Sequence, residues 1–174
     1  MIKTLPEDFS VEERAARGRD FFLDGYNCCQ SVLLAFEDIL PVDTLTLKTL
    51  GSGLGGGVGR LREVCGCMSA MAVIAGFIAP ADDPSNMEAR TENYALVQNF
   101  AAAYKEKMGS IVCRDILGLK AEAKKKEIES PRPSERSAEY YKSRPCAYSC
   151  ETAAAIVADY LLSIDKEKSN KTRI

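Results

Sequence analysis

The sequence predicts an all-α fold, a compact multi-helix bundle with one glycine-rich loop between helices. Three observations carry that expectation. Capping residues recur just ahead of apolar runs, the runs keep a helical spacing, and glycine or proline closes most of them.

Ser10 with Glu13 forms a capping-box pattern and opens a helix from about Val11 to Leu23, ended by Gly25. Asn27 with Gln30 repeats the pattern. The run CCQSVLLAFEDIL then places Val32, Leu33, Phe36, Ile39 and Leu40 at helical spacing until Pro41 stops it. Asp43 caps a third helix with Leu47, Leu50 and Leu54 on one face. The loop GSGLGGGVGR follows, then a helix from about Gly66 to Phe77, closed by Pro80. Ser85 with Glu88 starts a long helix to Met108, whose stripe of Met87, Tyr94, Val97, Ala101, Tyr104 and Met108 suits a core or a subunit interface. Gly109 breaks it, Ser110 caps a short helix in IVCRDILG, and residues 150–164 form the last strong helix.

The expected organisation is a single helical domain over 1–174, since 174 residues suffice for one real core. Residues 120–144, charged and carrying two prolines, read as a charged surface excursion, and 165–174 as a frayed tail. The net charge of −2 gives no electrostatic footprint for nucleic acid, and Lys124 to Lys126 are flanked by glutamates. The polar, acidic N-terminus does not resemble a signal peptide. The longest apolar run, Met68 to Pro80, is too short for a membrane span. The expectation is therefore a cytoplasmic protein, and the Tyr/Met stripe makes a homodimer plausible.

Cysteine usage is the outlier, with seven thiols and no histidine. In a reducing compartment such a cluster points to metal or redox chemistry, although any one free cysteine is more often a packing residue. The seven gather at predicted helix starts. Cys28 and Cys29 follow the cap Asn27, and Cys65 and Cys67 stand where the glycine loop becomes a helix. Cys113 follows Ser110, Cys146 follows Pro145, and Cys150 lies one turn further on the same face. Helix N-termini offer unpaired N–H groups and partial positive charge, which lower thiol pKa values from about 8.5 to roughly 3.5–7.5 without an imidazole.

The glycines have two readings. Gly51, Gly53 and Gly56 match G-x-G-x-x-G, but the residues about twenty further on, around Ala75, are apolar and no G-K-[ST] follows, which disfavours nucleotide binding. Gly55, Gly56 and Gly57 suit a backbone that passes close to the cysteines and offers N–H donors to sulfur, or a plain interhelical turn.

GGGVGRLREVCGCMSA resembles the signature of a family of redox-active bacterial and archaeal proteins named for its cysteine layout, C_GCAxxG_C_C. The family cysteines fall on Cys28 in NCCQSV, Cys65, Cys113 in GSIVCRDILG and Cys146 in RPCAYSC, so the resemblance runs from about Phe21 to Leu162. Two positions depart: Cys67 replaces the alanine of C-G-A-x-x-G and Ala70 its closing glycine. Cys29, Cys67 and Cys150 are extra thiols. The resemblance implies redox chemistry, and a similarity to part of the split-Soret cytochromes, which carry an iron–sulfur cluster beside haem.

The expected function is thus redox chemistry at thiolates gathered at helix starts, with an unidentified electron donor or acceptor. As a thiol oxidoreductase, the protein would use Cys28, Cys65, Cys113 and Cys146, with Cys67, Cys150 and Cys29 as secondary candidates. Cys146 with Cys150, or Cys28 with Cys113, could form the reacting pair, whereas Cys65 and Cys67 would need a strained backbone to bond one another. Alternatively, Cys28, Cys65, Cys113 and Cys146 would hold an iron–sulfur cluster or a structural zinc. Haem is excluded by the lack of a C-x-x-C-H and of any axial histidine.

Overall fold

The computed structural model describes residues 2–119 and 130–171. Among them are eight helices: α1 (Val11–Leu23), α2 (Cys28–Leu34), α3 (Thr44–Ser52), α4 (Gly66–Ile78), α5 (Met87–Met108), α6 (Cys113–Ile116), α7 (Ala138–Ser143) and α8 (Cys146–Lys171). The protein is all-α; the described residues hold one isolated β-bridge, Val64 to Val112, and no named strand.

α1 and α8 form the most extensive pair, and α2, α4 and α5 complete the bundle. The pair comes together at Gly18, where an added Cβ would lie 2.9 Å from the Cys150 carbonyl oxygen and 3.0 Å from Ala154 Cβ. Only a residue without a Cβ lets the two backbones meet so closely. The core joins Phe22 from α1, Val32 to Leu34 from α2, Met71 and Ile74 from α4, Phe100 and Tyr104 from α5, and Val157 and Leu161 from α8.

The caps explain where most helices begin. The Ser10 side chain accepts from Glu13 N, Asn27 closes a full capping box with Gln30, and Asp43 accepts from Thr46 N. Several expected starts or stops shift. The second helix stops at Leu34 rather than at Pro41, because arginines of α1 take its last carbonyls. Arg17 donates to the Leu34 oxygen (3.3 Å) and Arg14 to the Ala35 oxygen (2.8 Å). Phe36, Ile39 and Leu40 continue in tight turns and stay buried. The long helix is capped by Asn86 instead of Ser85, since Ser85 is held by Asp83 (N to Oδ1, 2.8 Å) while Asn86 accepts from Ala89 N (3.0 Å). The short helix starts at Cys113 after Val112, with Ser110 accepting from Val112 N (3.0 Å) and donating to Asp115 Oδ2 (3.1 Å) rather than capping the first turn, because residues 111–113 first pair with 63–65.

Two expected faces are narrower than the pattern suggested. α3 rests on α2 through Leu47 and Gly51, leaving Leu50 49% exposed. On α5 the buried stripe is Leu96, Phe100 and Tyr104, whereas Met87 and Tyr94 stand exposed. At the C-terminal end, α8 begins at Cys146, four residues before the expected start, and runs through the segment expected to fray as far as Lys171. Part of the expected surface excursion, 120–129, lies outside the described residues. The rest, 130–144, includes α7 and folds onto α1: Arg136 donates to the carbonyls of Phe22 and Tyr26 (both 3.0 Å), and Tyr141 to that of Leu23 (3.1 Å).

Candidate thiol site

Local chemistry puts four of the cysteines at helix starts. Cys28, Cys113 and Cys146 are first residues of α2, α6 and α8, and Cys65 precedes α4 as its cap position. Cys67 follows one residue into α4, and Cys150 lies one turn into α8.

Three devices bring these starts together. The Asn27 amide that caps α2 also donates to the carbonyls of Gly51 (3.0 Å) and Ser52 (3.1 Å), fixing α2 to the end of α3. Gly66 lets α4 begin against α2, since a Cβ there would lie 3.0 Å from Cys29 N and 3.2 Å from Cys28 Cβ. A short ladder joins the last two segments: Cys65 N donates to the Ile111 carbonyl (2.8 Å) and Cys113 N to the Glu63 carbonyl (2.7 Å).

The glycine loop makes the closest approach of all. Gly56, Gly57, Val58, Gly59 and Arg60 run in succession through positive φ, from 56° to 73°, and Arg62 follows at 61°. A left-handed turn with a β-branched and two long side chains is strained by roughly 1–2 kcal/mol per non-glycine residue. It aims the Gly56 amide at the Cys28 sulfur and lays Gly57 where a Cβ would come 2.6 Å from Cys113 Cβ.

Within this frame all seven cysteines are free thiols. Cys28 is the hub. Cys146, Cys150 and Cys67 pack around it, Cys150 donating to its carbonyl (3.8 Å), and against the cost of burial these side-chain contacts, with the Gly56 amide, hold its thiol well below the ordinary value. Behind it Cys67 and Cys150 face each other with Sγ–Sγ 3.6 Å, both fully buried. Their donation to neighbouring sulfurs and burial keep both thiols well above the ordinary value. Cys146 is raised chiefly by the bond that it gives to Cys28. Cys65 is lowered by its bond from Cys67, despite burial and the charge on Cys28, and Tyr104 Oη lies 3.4 Å from its sulfur. Burial drives the Tyr104 hydroxyl far up, so it stays protonated and able to donate.

The two other cysteines stand apart. Cys29 is buried among apolar side chains, and burial pushes it up to about 12. Cys113 is pushed up to about 11 by burial and by the charges on Cys65 and Cys28, with Arg62 hydrogen-bonded to it in opposition.

Of the four expected cysteines, Cys28, Cys113 and Cys146 line one pocket and Cys65 lies behind it. Cys28 and Cys146 meet, Cys65 is linked to them through Cys67, and Cys113 faces Arg62 instead of pairing with Cys28. The extra thiols Cys67 and Cys150 stand sulfur to sulfur at 3.6 Å, and no disulfide joins Cys65 to Cys67. The C-x-C spacing and the one-turn separation of Cys146 and Cys150 were the signals for this. Tyr104 had appeared only as one member of a helical stripe. Among the described residues, no three thiol or carboxylate side chains stand in an arrangement that would hold a metal ion.

A pocket of about 310 Å³ opens beside the hub. Cys28, Cys113 and Cys146 line it together with Gly55, Gly56 and Tyr140, while Gly57 lies behind, against Cys113. Cys28 and Cys146 are only partly buried, so the pocket is the route by which solvent reaches the thiol group. Among the described residues no helix is long and apolar enough to cross a membrane.

No curated protein and no solved structure matches the chain. A family model does match residues 26–160, which hold every cysteine of the site, the glycine loop and the helices that carry them. The chain thus belongs to the family described as "Putative redox-active protein (C_GCAxxG_C_C)".

Proposed function

We propose that the protein is a thiol–disulfide redox protein in which Cys28 is the attacking thiolate and Cys146 the resolving thiol. The observation that supports this best is the convergence of Cys28, Cys67, Cys146 and Cys150 from three distant segments, with only Cys28 and Cys146 of the four on the pocket wall.

The exchange balances without a cofactor. The Cys28 thiolate attacks one sulfur of a disulfide R–S–S–R; that S–S bond breaks, a Cys28–S–S–R bond forms, and R–S⁻ leaves. The hydrogen bond that held the Cys146 proton has then lost its anionic acceptor, so the chief cause of the raised Cys146 pKa is gone. Cys146 sulfur attacks Cys28, its proton goes to the second departing R–S⁻, and a Cys28–Cys146 disulfide remains. Two electrons have passed from the dithiol to R–S–S–R. Because Cys150 also reaches Cys28, the bond can move inward by isomerisation to Cys67–Cys150, regenerating the thiols of Cys28 and Cys146.

Anaerobic purification, iron and zinc analysis, and disulfide mapping by mass spectrometry across a series of glutathione redox buffers test this reading. The expected result is a metal-free, colourless protein that loses thiols in pairs, reversibly, with Cys28–Cys146 or Cys67–Cys150 linked, and with Cys28→Ser unable to undergo exchange. Stoichiometric iron with visible charge-transfer absorbance, or seven thiols retained at every potential, would overturn it.

A further inference from the structure

Thiol exchange at the pocket needs one pair of cysteines, yet a second pair stands behind the first. Cys67, in the first turn of α4, and Cys150, one turn into α8, face each other with Sγ–Sγ 3.6 Å across a sequence separation of 83 residues. Neither has any exposed surface. Both pack against Cys28, and Cys150 Sγ lies 3.8 Å from the Cys28 carbonyl oxygen. Cys28 in turn lies on the pocket wall with Cys146. A continuous path of sulfurs therefore leads from the pocket, through Cys28, to a pair shielded from any external reagent.

The remaining thiols have other neighbours. Tyr104 Oη lies 3.4 Å from Cys65 Sγ, and a bond from Cys65 to Cys67, two positions on, would strain the backbone. Cys29 is buried among apolar side chains, and Cys113 packs on the Arg62 guanidinium. Two couples are left, Cys28 with Cys146 at the pocket and Cys67 with Cys150 inside. At 3.6 Å the inner sulfurs are already in van der Waals contact, and a small turn of both side chains brings them to the disulfide bond length of about 2.05 Å.

Resting on the thiol–disulfide reading above, we infer that Cys67 and Cys150 are an internal electron store, so that one chain holds two electron pairs and reduces two disulfides R–S–S–R before it must be reduced again. The first exchange leaves Cys28–Cys146 oxidised, as already given. The Cys150 sulfur then attacks Cys28; the Cys28–Cys146 bond breaks, a Cys28–Cys150 bond forms, and Cys146 leaves with the Cys150 proton. The Cys67 sulfur next attacks Cys150; Cys28 leaves with the Cys67 proton, and Cys67–Cys150 remains. Cys28 gives that proton to the R–S⁻ of the first exchange, and the pocket couple is ready for a second R–S–S–R. Both protein disulfides then stand at once, four electrons have passed to two R–S–S–R, and no other oxidant enters. Both inner thiols are held well above the ordinary value, Cys67 by its sulfur neighbours and Cys150 by burial, so the inward transfer is slower than the exchange at the pocket.

Anaerobic titration of the full-length reduced protein with 4,4′-dithiodipyridine, a small disulfide whose thiopyridone product absorbs, tests this, with the bonds mapped by mass spectrometry after acid quenching. The chain is expected to consume about two equivalents, each releasing both of its thiopyridones, in two phases, the second limited by a step whose rate does not rise with probe concentration. The end state should hold Cys28–Cys146 and Cys67–Cys150 together, with Cys29, Cys65 and Cys113 still thiols. In Cys67→Ala and in Cys150→Ala, each of unchanged helix content, the total should fall to about one equivalent. Consumption of about one equivalent by the unsubstituted chain, with Cys28–Cys146 formed and Cys67 and Cys150 still thiols, would overturn the store and leave the exchange at Cys28 standing. So would a second equivalent that ends on Cys113 as a mixed disulfide. Formation of Cys67–Cys150 in Cys28→Ser at the unsubstituted rate would overturn the route through Cys28. Failure of Cys28 to enter any protein disulfide would overturn the thiol–disulfide reading itself.

Discussion

Replacing Gly18 by alanine sets two effects of opposite sign against each other. In an exposed helix interior the exchange stabilises by about 1 kcal/mol, because alanine is the better helix former. At Gly18 the new methyl would sit 2.9 Å from the Cys150 carbonyl oxygen, 3.0 Å from Ala154 Cβ and 3.4 Å from the Cys150 carbonyl carbon. Two of these three atoms are backbone and cannot turn aside. Relief requires α1 and α8 to separate by about 0.5–1 Å, a gap that forfeits a quarter to a half of each affected van der Waals contact. Overpacking of this kind costs about 1–3 kcal/mol, which cancels or outweighs the propensity gain, so Gly18→Ala is expected to destabilise by up to about 2 kcal/mol net. Gly76→Ala is the matched control: Gly76 is exposed on α4 with nothing within 4 Å of the added Cβ, so it should stabilise by up to about 1 kcal/mol. Urea unfolding followed by far-ultraviolet circular dichroism reads both. A rise in the Gly18→Ala midpoint equal to that of Gly76→Ala would refute the close helix contact that seats Cys150.

Two further predictions follow from the charges. At neutral pH, iodoacetamide should modify Cys28 first, and its rate should persist on acidification below the ordinary thiol pKa of about 8.5; Cys29 and Cys113, pushed up to about 12 and about 11, should react only in strong base. Peptide mapping along a pH series checks this, and a Cys28 profile no different from that of a free thiol would contradict it. The second concerns Arg14, a buried cation paired with Asp38 (Nη2 to Oδ2, 2.7 Å). Burial pushes the Asp38 carboxyl up, but the Arg14 hydrogen bonds and charge, aided by Arg17, bring it below the usual carboxylate value. The resulting stabilisation is complete above the unfolded pKa of about 3.9 and fades as pH falls through the lower folded value. Arg14→Met should cost about 2 kcal/mol at pH 7, discounted because Asp38 is a third exposed, and should flatten the acid limb of a stability–pH curve.

Helix starts were legible because capping is local: Asn27, Asp43 and Ser10 each bond an amide two or three residues away. The end of α2 was not, because the side chains that stop it belong to α1, more than fifteen residues earlier. The site divides along the same line. Spacing alone placed Cys28, Cys65, Cys113 and Cys146 at helix starts. It could not show that α1 against α8 at Gly18 fixes Cys150 opposite Cys67, nor that Arg62 occupies the neighbourhood of Cys113. Residues 130–144 read as solvated because they are rich in charge, yet Arg136 is spent on the carbonyls at the end of α1, and its rings and prolines cover the pocket. The left-handed turn was equally hidden, since Val58, Arg60 and Arg62 are residues that rarely take positive φ.

Under the thiol–disulfide reading proposed above, the packing of so many sulfurs also bears on the order in which they would act. A buried thiolate is tolerated only where polar groups surround it, and Cys28 is surrounded by three thiols and one amide. Each thiol packed around it is itself made harder to ionise, as the raised values of Cys67, Cys146 and Cys150 show. Cys65 is the exception, because it draws its own donors from Cys67 and Tyr104. Charge is therefore concentrated on Cys28 among the three cysteines that line the pocket, while the buried pair Cys67 and Cys150 is held protonated. Once Cys28 is in a disulfide its charge is gone, and the chief cause that suppressed ionisation of Cys146 goes with it, while burial continues to hold Cys150 up. The strained glycine turn keeps the hub in that state: without the Gly56 amide one donor is lost, and a side chain at Gly57 would collide with Cys113.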